Sequence, residues 1–319
     1  MFKSFAKKAW RVLYAIVVAK KHKKAFQNSH YINSKGWSYL VHSAPWDIFK
    51  FASTEICYNK YLIRLQYRTN QKSYWINSTS SQKKLRSNLQ QLWTNILRQN
   101  KFDYVLIITD GDCSINAELD IIGRIIKHSK CRRIYCQNLV LDSFSTEQKK
   151  KLRGAPIGLD LHTKRQGLNP TTALHCINKL AQTPNDNKNV ALIDFKLSIS
   201  SPVRREIIQA AEQLPSFEIL ESRLNQEDLW TKYTKSAVIV SPPGGGLDCH
   251  RTWEALYLGC EVFVFTKELK HLFKNNPRVV IIENLDDLKN NENRHTVKYS
   301  PTALTYKCFV EPSDWQFLR

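Results

Sequence analysis

Residues 241–260 form the stretch in which residue types and spacing could do chemistry: Ser-Pro-Pro-Gly-Gly-Gly-Leu-Asp-Cys-His-Arg-Thr-Trp-Glu-Ala-Leu-Tyr-Leu-Gly-Cys. The apolar run Ala237 to Val240 predicts a buried strand that enters a glycine-rich turn and then a helix, with Asp248, His250 and Arg251 among the helix's first residues. Gly244, Gly245 and Gly246 in succession let backbone N–H groups converge, and a helix N-terminus adds partial positive charge, so the turn suits an anion such as phosphate. Arg251 supplies a planar fork for the same anion, and Glu254, one turn later, could accept two ribose hydroxyls. Together these residues outline a nucleotide-sugar pocket. The bland alternative is a tight strand-to-helix turn whose polar first turn is merely solvated.

Other phosphate and hydrolase motifs fit poorly. The chain has no GKS or GKT, which excludes a Walker A loop, and GxGxxG fails because Cys249 stands where the third glycine belongs. HExxH and GxSxG do not occur.

The pattern Pro-x-Gly-x-Gly, followed by Arg-x-x-Glu-Ala-Leu-x-Leu-Gly-Cys, resembles the C-terminal half of exostosin-like and related GT-B glycosyltransferases. The resemblance implies that Arg251 is a diphosphate ligand and Glu254 a ribose or sugar ligand, with Gly244, Gly245, Gly246, Asp248 and His250 around the donor. Ala155-Pro156-Ile157-Gly158-Leu159-Asp160-Leu161-His162-Thr163 is similar to the Pro-x-Gly-x-Asp segment that closes the N-terminal domain in related bacterial and viral enzymes. The strong match covers about 30 residues. Glu261-Val262 departs from it, since many relatives carry a proline there.

Asp110-Gly111-Asp112 follows a hydrophobic strand and copies the DxD metal motif of GT-A glycosyltransferases. In a GT-B arrangement the same loop would face the cleft, where Asp110 could deprotonate an acceptor hydroxyl. An Asp-Gly turn with an N-cap for the next helix is the plain alternative. Asp160 is the second candidate base, and with His162 it is otherwise an ordinary loop polar. Lys196 and Arg204, with Arg205, follow the first strand of the second half, where GT-B enzymes often place a basic residue on the donor phosphates. Each is otherwise a solvated helix-start residue. Asn77-Ser78-Thr79 spells a glycosylation sequon, short enough to arise by chance.

Elements able to position these groups alternate along the chain. Helical apolar spacing over 83–99 and 114–129 brackets strand-like runs at 102–108 and 133–141. After a break at 164–188, rich in Asn with Gly167, Pro170 and Pro184 around a short helical stretch, the alternation resumes. Strands are expected at 189–195, 217–220, 237–241, 261–265 and 278–283, and helices at 203–213, 226–235 and 250–258. Such alternation predicts α/β units with largely parallel sheets, which bind ligands beyond the carboxyl ends of their strands. The expected fold is two Rossmann-like domains facing across a cleft, GT-B type. The N-terminal acceptor domain takes 25–165 and the C-terminal nucleotide-sugar domain 166–319.

Charge is one-sided. Residues 1–102 hold 19 basic side chains against Asp47 and Glu55, within a 319-residue chain of formal net charge +20. That field favours an anionic partner. Phe2, Phe5, Ala6, Ala9, Trp10, Leu13, Ile16 and Val17 form the apolar face of a basic amphipathic helix, and Lys20, Lys21, Lys23 and Lys24 follow. Residues 1–24 are therefore expected to bind an anionic membrane surface. A helix packed on the protein body and a secretory signal are the alternatives, the four lysines opposing the second. The apolar run Val12 to Ala19 is far short of the roughly 20 residues that span a bilayer.

Eight cysteines form no CxxC and no zinc spacing, which suits free thiols in a reducing compartment. The combined expectation is a glycosyltransferase that is cytoplasmic, peripheral at the inner membrane face, and takes a nucleotide sugar as co-substrate without metal or other cofactor. Its acceptor would be an anionic glycan or glycolipid, and no nucleic acid is expected. The alternative is a nucleic-acid-binding protein that uses the basic third with its interleaved aromatics Trp10, Tyr14, Tyr58, Tyr61, Tyr67, Tyr74 and Trp75.

Overall fold

A computed structural model describes Trp37 and residues 71–161, 168–182, 190–195, 197, 202–291 and 304–318. The helix expected within 1–24, together with His162 and Lys196, lies outside the described residues. Two compact units divide the chain, one comprising Met1–Pro156 and Tyr306–Arg319, the other Ile157–Thr305. The expected boundary of 165/166 differs because the backbone of 157–160 is hydrogen-bonded by Asp248, His250 and Glu254 of the second unit.

The first unit is built on four parallel strands in the order β1-β2-β3-β4, namely Ser73–Asn77, Tyr104–Thr109, Cys131–Cys136 and Leu152–Gly154. All of β1 and β2 is buried, as parallel strands covered on both faces must be. Period-2 alternation sorts the side chains. Tyr74, Ile76, Leu106, Ile108 and Ile134 join Leu85, Leu89 and Leu92 of α1 (Gln82–Asn95) and the isoleucines of α2 (Asp120–Lys127). Trp75, Val105, Ile107 and Tyr135 point the other way and are covered by Trp37, Val310, Phe317 and Leu318.

The C-terminal segment is anchored as well as packed. Asp314, fully buried, accepts from Arg132 Nε at 2.8 Å, Arg133 Nε at 2.9 Å and Tyr135 Oη at 2.7 Å. A short helix α3 (Thr146–Lys149), closed by a Ser145/Gln148 capping box, leads into β4.

The second unit carries five parallel strands in the order β6-β5-β7-β8-β9, with β5 Ala191–Ile193, β6 Phe217–Ile219, β7 Val238–Ser241, β8 Glu261–Val264 and β9 Val279–Ile281. The break between the sequence halves contains α4 (Pro170–Ala181), started by Asn169 and Pro170 and packed on α6. Helices α5 (Val203–Ala211), α6 (Gln226–Thr234) and α7 (His250–Tyr257) connect successive strands, followed by α8 (Lys270–Phe273) and α9 (Leu285–Asn290). Both units are thus α/β with parallel sheets, as the alternation predicts. No described helix is long and apolar enough to cross a membrane.

Candidate functional site

Strand order decides where a ligand belongs in the second unit. The chain moves from β5 outward to β6, then back past β5 to β7, so β5 and β7 flank the point at which the winding reverses. In open parallel sheets the crevice at that point, beyond the strand carboxyl ends, is the usual binding place. Asp194 and Phe195 follow β5 there, and the glycine turn follows β7.

The turn is held by its own bonds: Gly244 N donates to Gly246 O at 3.0 Å and Cys249 Sγ to Pro242 O at 3.5 Å. Left-handed φ among the described glycines is confined to Gly158 and Gly259, so the turn does not use glycine for backbone conformation. At Gly244 a Cβ would stand 3.4 Å from both Arg204 Nη2 and Cys249 Sγ, ordinary contact distances that place the turn alongside the Arg204 guanidinium. Neither Pro202 nor Cys249 gives a side-chain cap to the helix it precedes, α5 or α7.

Two arginines converge on this edge. Arg204, from the first turn of α5, donates through Nε to Pro243 O at 3.0 Å and lies over the Phe195 ring at 5.3 Å. Arg251, from α7, lies over the same ring at 5.7 Å and donates through Nε to Asp194 Oδ1. Tyr233 Oη donates to Asp194 Oδ2 at 2.5 Å. Burial opposes the Arg251 charge, but Asp194 beside it holds the guanidinium pKa above the ordinary arginine value. Arg204 is shifted the other way, first by burial and then by the like charge of Arg251. An anion between these groups would relieve that repulsion. Burial raises the Cys249 thiol above its usual range, which argues against a thiolate nucleophile.

The remaining polar residues of the segment face inward. Asp248 Oδ2 accepts from Ile157 N at 2.7 Å, and its Oδ1 from Trp253 Nε1 at 2.7 Å. His250 Nδ1–H donates to Gly158 O at 2.7 Å, which places a proton on that nitrogen. Glu254, buried, accepts from Asp160 N at 3.3 Å, Trp230 Nε1 at 2.9 Å and Gln226 Nε2 at 3.3 Å. Both of its oxygens are engaged by protein donors, so the carboxylate is a bracing group in this structure. Of the residues singled out in the sequence, Arg204, Arg251 and Gly244 come together, whereas Asp248, His250 and Glu254 hold the segment 157–160. Asp160 belongs to the second unit and is buried.

Asp110 lies in the first unit at the carboxyl end of β2, with a left-handed φ of 67°. Thr79 and Asn138, just past the ends of β1 and β3, share that conformation at 57° and 53°. Three non-glycine residues so placed cost about 1–3 kcal/mol each and persist only where the surroundings over-determine them. Here Asn77 Nδ2 donates to Asp110 O at 2.7 Å and Oδ2 at 3.1 Å, and Asp110 N donates to Gln137 Oε1 at 2.9 Å. Helix α2 begins at Asp120, so neither Asp110 nor Asp112 caps it. Asn77, buried and bonded through the nitrogen a glycan would need, is no sequon in the folded chain.

Sequence reasoning passed over Asp194, Phe195 and Tyr233. The signal available was position, since Asp194 and Phe195 close the first strand of the second half. Among the described residues no group of three or more His, Cys, Asp and Glu side chains could hold a metal ion. No family model matches the chain, and no curated protein matches it.

Proposed function

We propose that the second unit binds the diphosphate of a nucleotide sugar and that the chain is a GT-B glycosyltransferase acting on an anionic glycan or glycolipid at a membrane surface. The observation that carries this reading is the pair Arg204 and Arg251 over one Phe195 ring, beside the glycine turn at the reversal of strand order. In the reaction an acceptor oxygen bonds to the sugar's anomeric carbon, and the bond from that carbon to the diphosphate oxygen breaks. The electron pair leaves with the diphosphate, whose growing charge the two guanidiniums and the starts of α5 and α7 would stabilise. The acceptor's proton passes to a base, for which Asp110 and Asp160 are the candidates. The basic surplus of residues 1–102 suits an anionic acceptor and an anionic lipid surface.

Calorimetry of the full chain with UDP, GDP, CMP, their sugars and short single-stranded DNA tests the reading. Saturable binding of one nucleotide, lost in Arg251→Ala while the variant still folds, is the expected result. Salt-sensitive DNA binding without any nucleotide response would replace it with nucleic-acid binding through the basic third.

A further inference from the structure

We infer that Asp194 is a positioning residue for the anion site: braced by Tyr233, it takes the Nε of Arg251 and so turns the guanidinium's two Nη groups to the ligand. The inference rests on the diphosphate reading of the site. Asp194 has one oxygen on Arg251 Nε and the other on Tyr233 Oη at 2.5 Å, so its carboxylate is set from two sides. Its side chain is only 4% exposed, and Tyr233 is buried in α6. Those two contacts leave little rotational freedom to either partner.

Among the described residues the Arg251 side chain makes no other hydrogen bond. The bond through Nε leaves the edge formed by the two Nη groups pointing away from Asp194, and the guanidinium carbon stands over the Phe195 ring at 5.7 Å. A guanidinium held by Nε keeps its Nη1/Nη2 edge for bidentate contact with phosphate oxygens. Asp194 has a second effect. Arg204 and Arg251 are close enough to repel, and a carboxylate beside one of them offsets that repulsion before any ligand arrives.

This role predicts an effect opposite in sign to simple charge counting. Asp194→Asn removes a negative charge from beside an anion site, which by Coulomb's law alone would tighten binding. As a positioning residue, Asp194 should instead weaken binding when neutralised, by about tenfold, the scale seen when a group that orients a ligand-binding side chain is lost. The probes are inorganic pyrophosphate and UDP, titrated by calorimetry into the full chain, with thermal unfolding followed in parallel.

Expected are weaker binding in Asp194→Asn, a smaller loss in Tyr233→Phe, and affinity in Asp194→Glu above that of Asp194→Asn. A merely structural role would lower the melting temperature and leave the folded protein's affinity unchanged. Affinity in Asp194→Asn equal to or tighter than wild type would overturn the inference. Should Asp194→Asn fail to fold, unchanged affinity in Tyr233→Phe would overturn it as well. Wild type that binds neither probe would instead remove the anion site itself, and the role with it.

Discussion

Asp248 on the glycine-turn side of α7 accepts the backbone N–H of Ile157 at 2.7 Å, joining residues 91 positions apart in the chain. His250 and Glu254 extend the same seam by holding Gly158 O and Asp160 N. The turn and the short helix it opens therefore divide their polar residues between two tasks. Asp248, His250 and Glu254 brace the chain where it enters the second unit, and Arg251 is left for the sheet edge.

The brace responds to pH through Asp248. Burial raises its pKa from 3.8 to about 6, against the lowering effect of the Ile157 and Trp253 N–H donors. The native state thus holds a proton that the unfolded chain releases near 3.8. The stability linked to it is full below that value and is lost as pH rises through about 6, by roughly 3 kcal/mol. Asp248→Asn removes this dependence but leaves one of the two donors facing an amide NH2. The stability deficit of the variant should therefore shrink between pH 4.5 and 7.5 in denaturant titrations. A deficit constant across that range would show that Asp248 titrates normally.

Much of the frame was legible in the sequence because strands buried on both faces read as continuous apolar runs, as in Tyr104–Thr109 and Val238–Ser241. Strand β1 (SYWIN) and strand β4 (LRG) were not, being short and ending or centred on polar residues. Helix α4 read as a short helical stretch within a break, although Asn169 and Pro170 signal its start. In the site, the arginines and the glycine turn stand out by type and spacing. Asp194 does not, because its partners Tyr233 and Arg251 come from two later helices. The return of 306–318 to the first unit is equally hidden, since it depends on Asp314 meeting Arg132, Arg133 and Tyr135.

That return has the opposite pH sign to Asp248. Burial pushes the Asp314 pKa up, but hydrogen bonds from Tyr135, Arg133 and Arg132 outweigh it and hold the carboxyl below its ordinary value. Its stabilisation is present above the unfolded pKa of 3.8 and disappears as pH falls through the lower native value. Asp314→Asn leaves the largely buried Arg133 without its counter-charge and should cost about 3 kcal/mol at pH 7. Limited proteolysis should then cut within 306–318 sooner than in wild type. Equal cleavage rates and equal unfolding midpoints would show that apolar packing alone holds the segment.

Gly111 keeps the strained edge of the first sheet together. A Cβ there would stand 2.3 Å from Thr79 N and 2.5 Å from Thr79 O, both backbone atoms with no rotamer to yield. Its carbonyl also receives Gln137 Nε2 at 2.8 Å and Asn138 Nδ2 at 3.0 Å. Gly111→Ala must therefore displace the loop that holds Asp110, at a cost of about 3 kcal/mol, the upper range for overpacking. The urea midpoint is the measurement, and a midpoint within error of wild type would contradict the close approach.

Glu254 and Arg251 lie three residues apart on α7, and substitution should separate what each does. Glu254 is a buried acceptor for Asp160 N, Gln226 Nε2 and Trp230 Nε1. In Glu254→Gln one carboxylate oxygen becomes an NH2 that faces donors, so at least one buried donor loses its partner at about 2 kcal/mol. Affinity of the folded variant for UDP should change less than threefold, since its carboxylate braces the protein and meets no ligand in this reading. Arg251→Ala should do the reverse to binding, abolishing it by taking away the Nη edge. It also strands Asp194, so Arg251→Lys, which keeps a positive charge near the carboxylate, is the better-folded companion. Lysine cannot match the bidentate fork and should still bind UDP at least tenfold more weakly than wild type. Loss of UDP binding in Glu254→Gln with a wild-type melting temperature would reverse the assignment and make Glu254 the ligand.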